Sequence, residues 1–449
     1  MKRKIYDQLL KWKHEHQGRT ALLIEGARRI GKSYIVEEFA RHEYKSYILV
    51  DFNDMDDSLR EIFDHYLSQR DDFFMRLSLY FGVRLYERDS LIIFDEVQQY
   101  PRARAAIKYL VSDGRYDFIE TGSLVSIKKN VADIVIPSEE QTLEMFPMDF
   151  EEFLWALGDD MMMDFIRRQF QQMSPMAQLH RKALDYFRLY MIVGGMPQAV
   201  LAYIESRSFD AVDRIKRGIL QLYRNDIQKY AVRAEARVTA VFDEIPAQLQ
   251  RHEKKFRLAA LGTGARMRDY EDAFFWLNDA KVINTCYNTT EPSIALRMNM
   301  ERTTLKCYMG DTGLLISLAF DESAISREQL YRKLMLDKLE VNKGMLVENV
   351  VAQMLRAAGH RLYFYSNSSR NEAQDRMEID FLLSKSDITS RHNICPIEVK
   401  STTRYTLTSL EKFRTKYAPQ LGSVYVLHSG DLRVENGIIY LPLYMTGLL

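Results

Sequence analysis

The stretch TALLIEGARRIGKS, residues 20–33, decides the fold of the first part of the chain. Its opening run, TALLIE, is short and rich in strand-forming side chains, and residues 34–40 (YIVEEFA) follow with a helical pattern. Between them lies Gly-x-x-x-x-Gly-Lys-Ser, from Gly26 to Ser33. A strand, a glycine loop and a helix in this order predict a turn whose backbone N–H groups point inward at phosphate oxygens.

The residues of this loop have separate predicted roles. Gly26 and Gly31 let the backbone curl, Lys32 reaches the β- and γ-phosphates, and Ser33 offers its hydroxyl to Mg²⁺. No Asn-Lys-x-Asp motif for guanine is present, so ATP is favoured over GTP. The predicted nucleotide-binding residues of the loop are Gly26, Ala27, Arg28, Arg29, Ile30, Gly31, Lys32 and Ser33.

An acidic pair follows the next strongly apolar run. Residues 91–94 (LIIF) are continuously apolar, as expected of a strand buried on both faces of a parallel sheet. Asp95 would then hold Mg²⁺ at the carboxyl end of the strand, and Glu96 would polarise the water that attacks the γ-phosphate. An acidic pair alone is often a helix cap, but after a phosphate loop it indicates a hydrolytic site.

A polar residue at the end of a third strand is a candidate sensor of the γ-phosphate. Residues 116–120 (YDFIE) read as a strand and are followed by Thr121, Gly122 and Ser123. We expect Ser123, or alternatively Thr121, to contact the phosphate or to orient the water. An ordinary strand-to-helix turn would favour the same residue types.

These motifs resemble those of AAA+ type ATPases of the archaeal and bacterial group. The resemblance covers residues 1–155 and rests on GARRIGKS, LIIFDEVQ, ETGS and FPMDFEEFL. It implies a sheet of order 5-1-4-3-2 and Glu96 as the catalytic base. Related chains often carry an arginine that residues 131–144 lack, so Arg102 and Arg104 are substitute candidates for an arginine finger.

Composition limits the class of protein. The chain has 449 residues with 62 basic and 62 acidic side chains, so any contact with nucleic acid must be a local patch. The three cysteines form no CxxC pair, which argues against disulfides and a cysteine zinc site. The polar N-terminus shows no secretory signal, and no apolar run is long enough for a bilayer. We therefore expect a cytoplasmic protein without a membrane partner.

The middle of the chain is predicted to be helical and then winged-helix-like. Residues 156–231 show helical spacing, whereas residues 232–320 suggest small helices and a hairpin with strands at 281–287 and 294–298. Basic residues before the amphipathic helix favour either a DNA-facing surface or a solvated packing module. The pattern at Tyr308, Asp311 and Gly313 matches a motif of the same ATPase group and implies a shared domain type.

Residues 321–449 are predicted to be an α/β domain of order α-β-β-β-α-β with a cluster of charged residues. Glu398 and Lys400 are two apart on a strand and leave the same face, where Asp380 can lie opposite and Glu348 can approach from a helix. Two carboxylates beside a lysine suit a divalent metal that activates water for phosphodiester cleavage. An ordinary Glu-x-Lys ion pair on an edge strand is the alternative.

The same four residues resemble the motif of the PD-(D/E)XK nucleases, with Ile379 where proline is usual. The resemblance implies Asp380, Glu398 and Lys400 as catalytic residues, with Glu348, Asp380 and Glu398 as metal ligands.

Three hypotheses follow for the α/β chain as a whole. The first is an ATPase that controls a nuclease-like domain acting on nucleic acid, with DNA favoured over RNA. The second is a nucleotide-gated interaction protein whose C-terminal fold does not cleave. The third is a winged-helix regulator with a vestigial ATPase, which the intact Lys32, Asp95 and Glu96 oppose. Self-association is compatible with each.

Overall fold

A computed structural model describes residues 1–122, 139–231, 233–251, 254–293, 295–320, 327–335, 343–367, 376–384, 394–402 and 404–449. The chain divides into two compact units, Met1–Phe146 and Pro147–Leu449. The first ends at Phe146, whereas the predicted ATPase domain ends at residue 155, and that boundary stays a prediction. The finer boundaries expected at 231 and 320 fall inside the second unit and stay predictions.

The first unit alternates helices with strands. Its helices are α1 (Ile5–His16), α2 (Lys32–Glu43), α3 (Asp57–His65), α4 (Arg70–Phe81) and α5 (Pro101–Asp113). Its strands are β1 (Ala21–Gly26), β2 (Ser46–Asp51), β3 (Ser90–Asp95), β4 (Asp117–Gly122) and β5 (Glu140–Met145).

The five strands form one parallel sheet in the order β2-β3-β4-β1-β5. This is the predicted 5-1-4-3-2 order, seen from the opposite edge. Every residue of β1, β3 and β4 is buried, whereas the edge strands β2 and β5 are partly exposed. The continuously apolar run at 91–94 is therefore a central strand, as its sequence indicates. Parallel strands place their carboxyl ends together, and there Gly26, Asp95 and Gly122 end their strands.

The second unit begins with a run of helices. They are α6 (Phe150–Leu157), α7 (Asp160–Gln172), α8 (His180–Val193), α9 (Pro197–Ser206), α10 (Phe209–Tyr230), α11 (Glu235–Gln250) and α12 (Met267–Asp279). No single helix within the described residues is long and apolar enough to cross a membrane. The segments Ala177–Val193 and Pro197–Ser206, bent by 117° where they meet, pass that test only when taken together.

The remaining elements build a mixed sheet with further helices. The strands are β6 (Ile283–Thr289), β7 (Met300–Met309), β8 (Tyr363–Asn367), β9 (Met377–Ser384), β10 (Ile394–Val399), β11 (Val424–His428), β12 (Arg433–Glu435) and β13 (Ile438–Pro442). The helices are α13 (Thr312–Ala319), α14 (Arg327–Met335), α15 (Lys343–Ala357) and α16 (Thr408–Tyr417). The predicted α-β-β-β-α-β order is present as α15, β8, β9, β10, α16 and β11.

The predicted hairpin joins this sheet and forms no separate one. The strand order is β12-β13-β11-β10-β9-β8-β6-β7, and β6 pairs with β7 antiparallel and with β8 parallel. The second hairpin strand starts at Met300, so its predicted position at 294–298 was wrong. A turn at residues 296–299 precedes the strand, which sequence alternation alone did not reveal.

Asp311, part of the motif at 308–315, ties several helices of the second unit together. It is almost fully buried and caps α13, where its Oδ1 accepts a hydrogen bond from the Leu314 N–H at 2.9 Å. Its Oδ2 accepts from the Gly195 N–H at 2.6 Å and from the Gln353 side chain at 3.3 Å. Burial raises the pKa of Asp311, against the effect of these donors. The motif therefore has a clear structural role.

Replacing Asp311 with alanine should destabilise the protein by about 3 kcal/mol or more, because buried donors would lose their acceptor. Ser208→Ala is the matched control, since Ser208 caps α10 through one hydrogen bond, to the Ala211 N–H at 3.4 Å. Its loss should cost about 1 kcal/mol or less. Urea denaturation of the two variants measures the difference. Equal midpoints would contradict the structural role of Asp311.

Candidate functional site

The glycine loop is shaped by a close backbone approach at one end and a left-handed residue at the other. A Cβ on Gly26 would lie 2.3 Å from the Met145 carbonyl oxygen, so only glycine fits there. Gly31 has a φ of 91° and starts α2. Lys32 is buried, and its Nζ donates to the carbonyl oxygens of Gly26 and Ala27, each at 3.0 Å. The lysine is thus folded back over the loop, as its predicted role requires.

Arg3 fixes the same loop from the N-terminal segment. Its Nη1 donates to the Ile30 carbonyl oxygen at 2.8 Å, and its Nη2 donates to that of Phe146 at 2.7 Å. One guanidinium therefore connects the loop to the segment that follows β5. Sequence reasoning missed Arg3, because no local pattern links it to residues so distant in the chain. Arg28 and Arg29 of the loop are exposed.

The predicted Mg²⁺ ligands meet at the end of β3. The Ser33 hydroxyl donates to Asp95 Oδ1 at 2.8 Å, and the Thr121 hydroxyl donates to the same oxygen. The Glu96 N–H in turn donates to Thr121 Oγ1 at 3.3 Å. Two hard oxygen donors beside the lysine of a phosphate loop suit Mg²⁺, which prefers carboxylate, hydroxyl and phosphate oxygens.

Thr121 is the polar residue of β4 that reaches this site. The sequence left Thr121 and Ser123 as alternative sensors, and Ser123 lies outside the described residues. Thr121 is fully buried and contacts both members of the acidic pair, Asp95 through its hydroxyl and Glu96 through the backbone. The sensor role of Ser123 stays a prediction.

Arg104 does not suit the arginine-finger role considered for it. Its side chain is 3% exposed and pairs with Glu140 at 2.9 Å and with Glu120 at 3.6 Å. Burial, followed by the neighbouring Glu140, raises the pKa of Glu120 well above its usual value. A finger must reach a neighbouring subunit, and a buried side chain cannot. Arg102 is exposed and pairs with Asp64 at 2.6 Å.

The second unit brings the charged residues predicted near its C-terminus into one cluster. Lys400 Nζ lies 2.7 Å from Glu398 Oε1, and Asp380 Oδ2 accepts from the Val399 N–H at 2.9 Å. Glu348 on α15 faces them closely enough for Asp380 to raise its pKa. The sequence therefore identified residues that are neighbours in space, although helix and strands are far apart in the chain.

Two lysines that the sequence analysis missed also belong to this cluster. Lys306 on β7 is 1% exposed, and its Nζ lies 2.9 Å from Glu378 and 3.5 Å from Asp380. Lys254 Nζ lies 3.7 Å from Glu348, which also accepts a hydrogen bond from the Tyr308 hydroxyl at 3.2 Å. The sequence held one indication of this, because Lys306 stands within the apolar part of β7 and buried lysines are rare unless they are paired.

Burial controls the protonation of the cluster. Burial, and then the charge of Asp380, raises the pKa of Glu398 to about 8 and that of Glu348 to about 7. Burial alone would lower the pKa of Lys306, but Glu378 and the other acidic groups outweigh it and raise the pKa. The charged form of Lys306 is therefore favoured, whereas the raised pKa values of Glu348 and Glu398 favour their neutral forms.

This arrangement fits a metal poorly. Each carboxylate of the cluster already faces an ammonium group: Glu348 faces Lys254, Asp380 faces Lys306 and Glu398 faces Lys400. In the part of the chain that the structure describes, no three acidic, histidine or cysteine side chains converge to hold a metal ion. The assignment of Glu348, Asp380 and Glu398 as ligands, and of Asp380, Glu398 and Lys400 as catalytic residues, stays a prediction.

Comparison with known proteins agrees with the architecture of the first unit. Residues 18–154 match the model of an AAA domain. Residues 184–325 and 343–445 match two models described as domains of unknown function, DUF8612 and DUF4143. No curated protein matches the chain.

Several solved structures are similar at low identity. The Walker-type ATPase Paby2304 of Pyrococcus abyssi is 15% identical over 71% of this chain and 95% of that chain, with a TM-score of 0.41. The Aeropyrum pernix ORC2 protein in its ADP form is 13% identical over 74% of this chain and 92% of that chain, with a TM-score of 0.29. AMPPCP-bound DnaA from Aquifex aeolicus is 10% identical over 75% of this chain and 95% of that chain, with a TM-score of 0.26.

The sheet order, the glycine loop and the acidic pair define a P-loop ATPase domain. The matching model over residues 18–154 agrees with this arrangement, so this part of the chain is similar to AAA domains. The chain thus combines an N-terminal AAA-like domain with a larger second unit in which two uncharacterised domain types follow one another.

Proposed function

We propose that the protein binds ATP with Mg²⁺ at the glycine loop and hydrolyses it to ADP and phosphate. The observation that carries this proposal is the hydrogen bond of 2.8 Å between Ser33 and Asp95. In this bond the hydroxyl of Ser33, the residue after Lys32, contacts the carboxylate of Asp95, the residue before Glu96. A binding loop and a hydrolytic acid therefore share one edge of the sheet.

The loop supplies binding through the N-terminus of α2 and through Lys32. Four backbone N–H groups at a helix start lack partners within the helix and favour an anion. The Lys32 ammonium donates to two carbonyl oxygens, and phosphate oxygens would bind it more strongly because they are charged. Mg²⁺, when bound by Ser33 and Asp95, would neutralise charge on the phosphates.

Glu96 is proposed as the general base. Its carboxylate accepts the proton of a water molecule while the water oxygen bonds to the γ-phosphorus and the bond to the ADP oxygen breaks. Thr121 contacts the Asp95 carboxylate and the Glu96 N–H, and so helps to fix the orientation of the acidic pair. The base is thereby held beside the residue that binds the metal.

Replacing Glu96 with glutamine should lower kcat for ATP hydrolysis by about 100-fold or more, because the proton acceptor is lost while size and shape are kept. Nucleotide affinity should not fall, since the loop is unchanged. Phosphate release and calorimetric nucleotide binding measure the two quantities. Glu61→Gln, at an exposed position on α3, is the matched control. Wild-type turnover in Glu96→Gln would exclude Glu96 as the base.

For the second unit, we favour the hypothesis of a nucleotide-gated interaction protein whose nuclease-like sequence pattern does not cleave. The supporting observation is that Lys254 and Lys306 lie against Glu348 and Asp380, two of the three acidic side chains that a metal would need. A metal would have to displace buried ammonium groups, which is costly in an interior of low dielectric constant. Contact with DNA and self-association stay predictions.

This preference is tested with single- and double-stranded DNA, incubated with Mg²⁺ or Mn²⁺ and ATP. We expect no difference in cleavage between the wild-type protein and Lys400→Ala, because lysine side chains already lie against the acidic groups that a metal would need. Calorimetric titration with Mn²⁺ should likewise give the same result for the wild-type protein and for Asp380→Asn. Cleavage by the wild-type protein that disappears in Lys400→Ala would support the nuclease hypothesis instead.

A further inference from the structure

Gln98 lies immediately beyond the acidic pair and contacts its second member. It belongs to a short 3-10 turn, Val97–Gln99, that connects β3 to α5. Its side chain is almost fully buried, and its Nε2 donates a hydrogen bond to Glu96 Oε2. A buried amide that donates to a carboxylate makes a charge-assisted bond, and burial leaves the glutamine few other rotamers.

Glu96 itself occupies an uncommon backbone conformation. Its φ is 54°, in the left-handed region that non-glycine residues seldom adopt. Such a residue persists when its surroundings hold it, and strained residues of this kind concentrate at functional sites. The Glu96 N–H donates a hydrogen bond to the Thr121 hydroxyl oxygen, and the Glu96 carboxylate accepts one from the Gln98 side chain. Glu96 is therefore fixed at both its backbone and its side chain.

We infer that Gln98 is a positioning residue for ATP hydrolysis, which holds Oε2 of Glu96 so that Oε1 accepts the proton of the attacking water. This inference rests on the proposed function. A neutral amide suits the task because it donates a hydrogen bond without giving up a proton. A glutamate at the same position would place a second negative charge against Glu96, and a methionine would fill the space without a donor.

The adjacent Gln99 provides a matched control. It lies in the same turn and is only half-buried, and its backbone N–H donates to the Glu96 carbonyl oxygen at 2.9 Å, a bond that a side-chain substitution keeps. Exchanging Gln99 for methionine therefore makes the same chemical change one residue further along. An effect that arises from hydrophobic substitution in the turn would be seen in both variants.

Gln98→Met should lower kcat for ATP hydrolysis by about 10- to 100-fold, because a base that is no longer held in place is displaced from the water. KM, calorimetric affinity for ATP and the urea midpoint should stay at wild-type values. Gln99→Met should keep the wild-type kcat. A wild-type or increased kcat in Gln98→Met would overturn the inference, as would a loss confined to KM.

A double-mutant cycle separates positioning from a general structural role. In single-turnover assays, adding Gln98→Met to Glu96→Gln should produce no further loss, because Gln98 acts only through the Glu96 carboxylate. Additive losses would overturn the inference. If wild-type protein hydrolyses ATP and Glu96→Gln does not, a failure here concerns Gln98 alone. If Glu96→Gln keeps full activity, the proposed function fails and the role of Gln98 falls with it.

Discussion

The carboxylate of Asp95 is the contact on which the organisation of the first unit depends. It accepts hydroxyl hydrogen bonds from Ser33, at the start of α2, and from Thr121, at the end of β4. A largely buried carboxylate needs such donors, since desolvation without them is costly. These bonds fix the positions of the phosphate loop, the acidic pair and the neighbouring strand relative to one another. Every chemical role assigned to Lys32, Glu96 and Gln98 depends on those relative positions.

Much of this unit follows from local sequence. The run at 91–94 contains only large apolar residues, and the structure places it inside a parallel sheet, between β2 and β4, because such a strand must be covered on both faces. The loop pattern likewise fixes Gly26 and Gly31, since each position demands glycine for a steric reason. The strand order came from the resemblance to AAA+ ATPases and could not be derived from spacing.

Residues that act through long-range contacts were not predictable in the same way. Arg3 reaches Ile30 and Phe146, and Lys306 reaches Asp380 across intervening strands, but no periodicity or motif links these positions. Gln98 was visible in LIIFDEVQ, yet its contact with Glu96 depends on the left-handed turn that the chain makes there. The four predicted charged residues of the second unit were found together, whereas Lys254 and Lys306, which lie against Glu348 and Asp380, were missed.

The central claim is that the glycine loop binds a nucleoside triphosphate through Lys32. Its most direct test is calorimetric titration of the full chain with a non-hydrolysable ATP analogue and Mg²⁺, for the wild-type protein and for Lys32→Ala. We predict one site per chain in the wild-type protein and an affinity at least about 100-fold weaker in the variant, because several charge-assisted bonds of about 1.5–3 kcal/mol each are lost. Equal affinities in the two proteins would contradict the account.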